Sequence, residues 1–193
     1  MDWILASASP RRKELLSTLL PSFEIVPSNC EERVEGVPTP EELVKVLAEQ
    51  KAMDVAMGVQ AQGKAVIGSD TVVALDGEIL GKPKTPQHAK QMLKALSGRS
   101  HEVYTGVCMV YPTEKGVGKI VEADCTRVQF LPLTDAQIDE YVASGSPMDK
   151  AGAYGIQDGG LVENIDGSFS NVMGLPVELC EKMIKTVLKL AKE

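Results

Sequence analysis

The first twenty residues restrict the architecture more than any other stretch of the chain. Trp3 to Ala6 is a short apolar run, and Ser9-Pro10 supplies an N-cap and a first helical residue for a segment carrying Leu15, Leu16, Leu19 and Leu20. A strand that passes through a polar turn straight into a helix is an α/β opening, and the alternation continues. After Pro21, Phe23 to Val26 reads as a second strand. Thr39 and Glu42 form a capping box with Pro40 at the first helical position, opening a helix striped by Leu43, Val44, Leu47, Met53 and Val55. Ala65 to Gly68 is an apolar strand that is expected to break at Ser69-Asp70-Thr71 and resume as Val72 to Leu75. Asp76-Gly77 then turns it back as a hairpin through Glu78 to Leu80.

Further along, Thr85-Pro86 start a helix that Gly98 closes, and strands are expected at about Val103 to Tyr111 and Lys119 to Phe130. Thr134 caps a helix running to Gly145, followed by a glycine-rich loop from Ser146 to Gly160 that is a candidate binding element. A second hairpin is expected to turn at Asp166-Gly167, and Pro176 precedes a terminal helix that turns Cys180, Met183, Ile184, Val187 and Leu188 inward. No unit repeats, so the expectation is an α/β fold with a mixed sheet flanked by helices, one domain spanning residues 1–193. With aromatics at 4%, that core must be aliphatic.

A formal net charge of −7 disfavours nucleic acid as a partner, whereas a small anion needs no more than a local basic patch. No apolar run approaches membrane-spanning length, and the first residues carry no basic segment followed by an apolar one, so neither membrane nor secretory signal is expected. Cys30, Cys108, Cys125 and Cys180 are scattered without a CxxC pair, which suits a reducing, cytoplasmic compartment.

Arg11, Arg12 and Lys13 crowd the first turn of a helix, where the macrodipole already presents positive charge. Each forgoes roughly 0.3–1 kcal/mol relative to an acidic residue there, so an anion or a carboxylate should compensate. A phosphate chain would meet Ser7 and Ser9 hydroxyls, turn N–H groups and guanidinium forks; a solvated basic helix end is the alternative. Asp70, set between apolar strand segments, must meet a metal, a cation or hydrogen-bond donors. It could accept a proton from an attacking water, hold Mg²⁺, or simply satisfy backbone groups at a strand kink. Lys82, just past the hairpin, could return towards Asp70; Glu31 and Glu32 could add a carboxylate for a divalent cation; Lys51 could face phosphate. The competing reading for each of these four is a solvated surface, and a glutamate pair or a lone lysine more often has that explanation. No P-loop and no serine nucleophile elbow is present.

Taken together, Leu5-Ala6-Ser7-Ala8-Ser9-Pro10-Arg11-Arg12, Gly68-Ser69-Asp70-Thr71-Val72-Val73, Leu80-Gly81-Lys82-Pro83, Leu96-Ser97-Gly98-Arg99 through Thr105-Gly106-Val107, Ala151-Gly152-Ala153-Tyr154-Gly155-Ile156-Gln157 and Gly174-Leu175-Pro176 resemble the Maf family. These are house-cleaning nucleotide pyrophosphatases also associated with septum formation. The resemblance implies an α/β fold akin to inosine triphosphatases, two lobes around a cleft, and usually a homodimer. It implies hydrolysis of nucleoside triphosphates to monophosphate and pyrophosphate with Mg²⁺ or Mn²⁺. By the same resemblance Asp70 is the catalytic base, and Arg11, Thr71 and Gln157 set substrate choice. Ser7, Arg12, Glu32, Lys51 and Lys82 stand near phosphates and metal, with Glu32 and Asp70 as the metal ligands. Gly155-Ile156-Gln157 is similar to the branch acting on dTTP and UTP, including modified pyrimidine nucleotides. A non-catalytic nucleotide-binding regulator of septum formation is the competing reading. Two departures stand out: Glu31-Glu32 where relatives commonly have Asp-Glu, and Asp158-Gly159-Gly160 leading directly into the next strand.

Overall fold

A computed structural model describes residues 1–191. In chain order the elements are β1 (Trp3–Leu5), α1 (Pro10–Ser17), β2 (Glu24–Ile25), α2 (Pro40–Ala56), β3 (Ala65–Leu75), β4 (Glu78–Leu80), α3 (Pro86–Leu96), β5 (Ser100–Thr113), β6 (Gly116–Phe130), α4 (Asp135–Ala143), β7 (Val162–Asp166), α5 (Phe169–Met173) and α6 (Val177–Leu190). Seven strands form one sheet in the order β2-β1-β3-β5-β6-β7, with β4 paired to β3 off that path. β1 runs parallel to β2 and β3 while every other pairing is antiparallel, so the sheet is mixed, with helices packed against it.

Strand alternation explains how one sheet builds three apolar clusters. Trp3, Leu5, Ala65, Ile67, Val107 and Met109 face α1 and α6, joining Leu16, Met183 and Val187. The residues between them, Ile4, Val66, Cys108 and Val110, face α2 and pack on Ala48, Ala52 and Val55. At the other end of the long strands, Val73, Leu75, Val103, Val128 and Phe130 join α3 and α4 through Leu93, Leu96, Ile138 and Val142. The two ends are the lobes, and β3, β5 and β6 run through both.

Helix starts follow the local chemistry. Ser9 caps α1 by accepting from the Arg12 backbone N–H, and Thr39 and Thr134 form reciprocal capping boxes with Glu42 and Gln137. The β3–β4 hairpin turns at Asp76 and Gly77, both at positive φ (52° and 82°), the conformation an Asp-Gly turn favours.

Three expectations are corrected. β3 does not break at Ser69-Asp70-Thr71: it pairs with β5 continuously from Val66 to Ala74, and the polar side chains are satisfied on the two faces instead of by a kink. Asp166-Gly167 does not turn a hairpin, because Ser168 caps the short helix α5 by accepting from the Asn171 N–H. Leu188 is 39% exposed, since the inward stripe of α6 is carried by Cys180, Met183, Ile184 and Val187.

Candidate active site

β1 pairs with β3 over Ala65–Ile67, and β4 pairs with β3 over Val73–Leu75. Between them, on that side of the strand, residues 68–72 have no partner strand among the described residues. The chain leaves β1 there through the Ser7–Pro10 turn, and β4 delivers Gly81-Lys82 to the other side of the gap. A strand edge exposed in mid-sheet presents side chains from both faces at once, which is why Asp70 and Thr71 line the same opening. The resulting cleft encloses about 480 Å³ and is lined by Ser9, Arg11, Arg12, Glu32, Lys51, Asp70, Thr71, Lys82 and Gln157 among others. An adjoining hollow of about 390 Å³ adds Ser7 and Ser28. The structure thus brings Ser7, Ser9, Arg11, Arg12, Glu32, Lys51, Asp70, Thr71, Lys82 and Gln157 to one place, whereas Glu31 lines neither cavity and is exposed, paired with Arg33 at 2.9 Å.

Arg12 is held by three acceptors in the fork geometry of a guanidinium: Nε donates to the Gly174 carbonyl at 2.8 Å, Nη1 to Ser7 Oγ at 3.4 Å and Nη2 to Thr71 Oγ1 at 3.2 Å. Gly174 ends α5 at φ 116°, which turns its carbonyl into the site, where it also accepts from Ser69 Oγ at 3.1 Å. Burial lowers the Arg12 pKa from its usual value; the Asp70 charge opposes that shift and Arg11 adds to it.

On the other face of β3, Lys51 of α2 contacts Asp70 directly and reaches Glu32 Oε1 at 2.9 Å. Burial alone would depress the Lys51 ammonium, but the two carboxylates outweigh it and hold its pKa above the ordinary value. Lys51 therefore stands between carboxylates, not free. Glu32 is presented by a loop fastened to α2: Asp54 accepts from Ser28 Oγ (2.8 Å) and the Asn29 N–H (3.0 Å), and Gln50 Oε1 accepts from the Arg33 N–H at 3.1 Å.

Arg11 Nη1 lies 3.7 Å from Asp149 Oδ2, and the buried Lys150 ammonium donates to the Ser146 carbonyl (2.6 Å) and to Asp149 (3.0 Å). Gln157 is exposed at the rim, its amide folded over Gly155, where any Cβ would sit 2.7 Å from Gln157 Nε2. Tyr141 ties this loop down, donating to Asp158 at 2.7 Å and accepting from the Gly155 N–H at 3.0 Å. Sequence reasoning did not single out Asp149, Lys150, Tyr154 or the Gly174 carbonyl, all of which line the cleft. The adjacent opposite charges Asp149-Lys150 inside a glycine-rich loop were the available signal; nothing in the sequence marks a backbone carbonyl.

The fold and site define an α/β protein whose sheet edge gathers guanidinium and ammonium groups around a pair of carboxylates, an arrangement suited to a small polyanion and a hard cation. Residues 2–187 match the family model described as Maf-like protein, and the chain belongs to that family. It is 48% identical over 182 residues to the dTTP/UTP pyrophosphatase of Thermococcus gammatolerans, covering 93% of this chain and 94% of that protein. It is 51% identical over 180 residues to the protein of the same name in Geotalea uraniireducens, covering 92% and 90%. The Clostridium tetani dTTP/UTP pyrophosphatase is 44% identical over 190 residues, covering 96% and 97%. The solved Staphylococcus aureus Ham1 protein overlaps 67% of this chain and 72% of its own at 15% identity, with a TM-score of 0.44.

Proposed function

We propose that the cleft binds dTTP or UTP and hydrolyses the bond between the α- and β-phosphates, releasing the monophosphate and pyrophosphate. The observation that carries this reading is the convergence of Arg12, Lys51 and Lys82 with Asp70 at one strand edge, in a chain that relatives named dTTP/UTP pyrophosphatase match almost end to end. Arg12 is anchored through Nε by Gly174, so its terminal nitrogens are aimed by the fold and cost little to organise when a phosphate arrives. Ser7, Ser9 and Lys82 complete the phosphate-facing wall. Arg11, Thr71 and Gln157, which line the same cleft, are the residues we assign to substrate choice.

In the reaction, a water oxygen forms a bond to the α-phosphorus while the bond from that phosphorus to the bridging oxygen breaks, and pyrophosphate leaves with the electron pair. Asp70 accepts the proton of the attacking water; Lys51 fixes the orientation of its carboxylate. Glu32 and Asp70 suit Mg²⁺ or Mn²⁺, because both offer hard oxygen donors to one cationic group, Lys51, and Mg²⁺ is commonly held by one or two carboxylates plus substrate phosphates. When bound, such an ion would neutralise charge on the phosphates. A turnover panel across dTTP, UTP, CTP, ATP, GTP and modified pyrimidine triphosphates, scored for pyrophosphate release, tests the reading. Preference for dTTP and UTP supports it, and purine preference contradicts the assignment of Gln157.

A further inference from the structure

Behind Thr71 a buried polar chain runs away from the cleft. Thr71 Oγ1 lies 2.9 Å from Thr105 Oγ1, and Thr105 donates to the Asn171 carbonyl at 2.9 Å. Thr105 and Asn171 are fully buried, and Asn171 is itself fixed by donating from Nδ2 to the Val103 carbonyl (2.9 Å) and to Thr126 Oγ1 (3.0 Å). A hydroxyl has one proton, and a carbonyl can only accept. Thr105 has therefore committed its proton to Asn171, so Thr71 must donate to Thr105, and Thr71 is left with lone pairs facing the cleft. Arg12 Nη2 donates to one of them at 3.2 Å. The proton direction of the whole chain is set from its buried end.

The geometry points to Thr105 as a positioning residue that holds Thr71 as an obligate acceptor and thereby fixes the guanidinium of Arg12 in its phosphate-binding orientation. The inference rests on the reading of Arg12 as a phosphate clamp. Without Thr105 as acceptor, the Thr71 proton is free to rotate towards Arg12, where two donors would face each other. The fold itself is expected to tolerate the loss of the Thr105 hydroxyl, because the Asn171 carbonyl keeps the Gly174 N–H at 3.0 Å. A Thr71 with lone pairs outward also offers nothing to a phosphate oxygen, which leaves the phosphates to the guanidinium.

The test is steady-state pyrophosphate release from UTP by Thr105→Val, Thr105→Ser, Thr71→Val and the Thr71→Val/Thr105→Val double variant, with melting temperatures measured alongside. Thr105→Val should raise KM about five-fold while kcat stays within about two-fold, and Thr105→Ser should restore the wild-type KM. In the Thr71→Val background, Thr105→Val should add less than about two-fold, because the chain is already cut. A wild-type KM in folded Thr105→Val, or effects that multiply independently in the double variant, would overturn the proposal. If Thr105→Val does not fold, Thr105→Ala carries the same comparison. Arg12→Ala separates the two levels: if it leaves KM unchanged, the clamp reading fails, whereas a raised KM there with none in Thr105→Val removes the inference alone.

Discussion

Helix α2 carries Lys51, and it lies on the sheet at two glycines that allow backbone to meet backbone. A Cβ at Gly106 would fall 2.2 Å from the Val44 carbonyl oxygen and 2.9 Å from the Lys45 nitrogen; one at Gly68 would fall 2.4 Å from the Ala48 oxygen. For Gly106→Ala to be accommodated, α2 must retreat by roughly 1 Å before that contact reaches the ordinary range, which begins at 3.4 Å. Overpacking of this kind costs about 1–3 kcal/mol, so for a chain of this size Tm should fall by roughly 4–8 °C for a loss near 2 kcal/mol. Lys51 sits two helical turns beyond Val44 on the same helix and moves with it, away from Asp70 and towards solvent. A misplacement on the order of 1 Å at a reacting centre costs up to about a hundred-fold, so kcat should drop by roughly ten- to a hundred-fold at saturating substrate. Thermal melts followed by circular dichroism and steady-state pyrophosphate release read the two effects separately. Gly106→Ala with wild-type Tm and wild-type kcat would refute the claim that close approach of α2 sets the Lys51–Asp70 contact.

Two further outcomes follow from the geometry. Arg12→Lys should raise KM for UTP by about ten-fold or more in the pyrophosphate-release assay, because an ammonium cannot reproduce the fork that reaches Gly174, Ser7 and Thr71 together; an unchanged KM would return the basic turn to a surface cluster. His101 is wedged between Phe130 and Tyr154, its Nε2 2.7 Å from the Tyr154 hydroxyl, and burial pushes its pKa from 6.5 down to about 4. The unfolded chain therefore binds a proton that the folded chain refuses between those values, so this contribution is complete above pH 6.5 and is lost as pH falls towards 4. Urea unfolding at pH 7 and pH 5 should show about 2 kcal/mol of acid sensitivity that His101→Phe lacks; equal sensitivity in both proteins would show that His101 does not carry it.

The helices were readable in the sequence because their starts are written in local chemistry: Ser9, Thr39, Thr85 and Thr134 each accept from a backbone N–H in the first turn. Strand ends were less readable, since the β5–β6 hairpin extends to Thr113 and Gly116 through residues without alternating character, held by the pairing itself. The expected break in β3 failed for a related reason. Polar residues in an apolar strand signal a kink only when nothing across the sheet satisfies them, and here Ser69 finds Gly174, Asp70 finds Lys51 and Thr71 finds Thr105. Those partners lie 105, 19 and 34 residues away, distances at which no local pattern speaks. The candidate site was legible as a set of residue types and motifs, whereas the gap between β1 and β4 that gathers them is a property of strand order. The buried chain through Thr105 and Asn171 was invisible, because a threonine beside a glycine in a strand carries no sign of its hydrogen bonds.

Asp70 bears the central claim that this strand edge is a hydrolytic site, and replacing it with asparagine keeps an oxygen for Lys51 while removing the proton acceptor. The decisive measurement is product release from UTP by wild-type and Asp70→Asn protein of matched melting temperature. Wild-type protein should yield UMP and pyrophosphate, and Asp70→Asn should lower kcat by about a hundred-fold or more. Undiminished turnover in Asp70→Asn, or wild-type release of UDP and phosphate, would contradict the account.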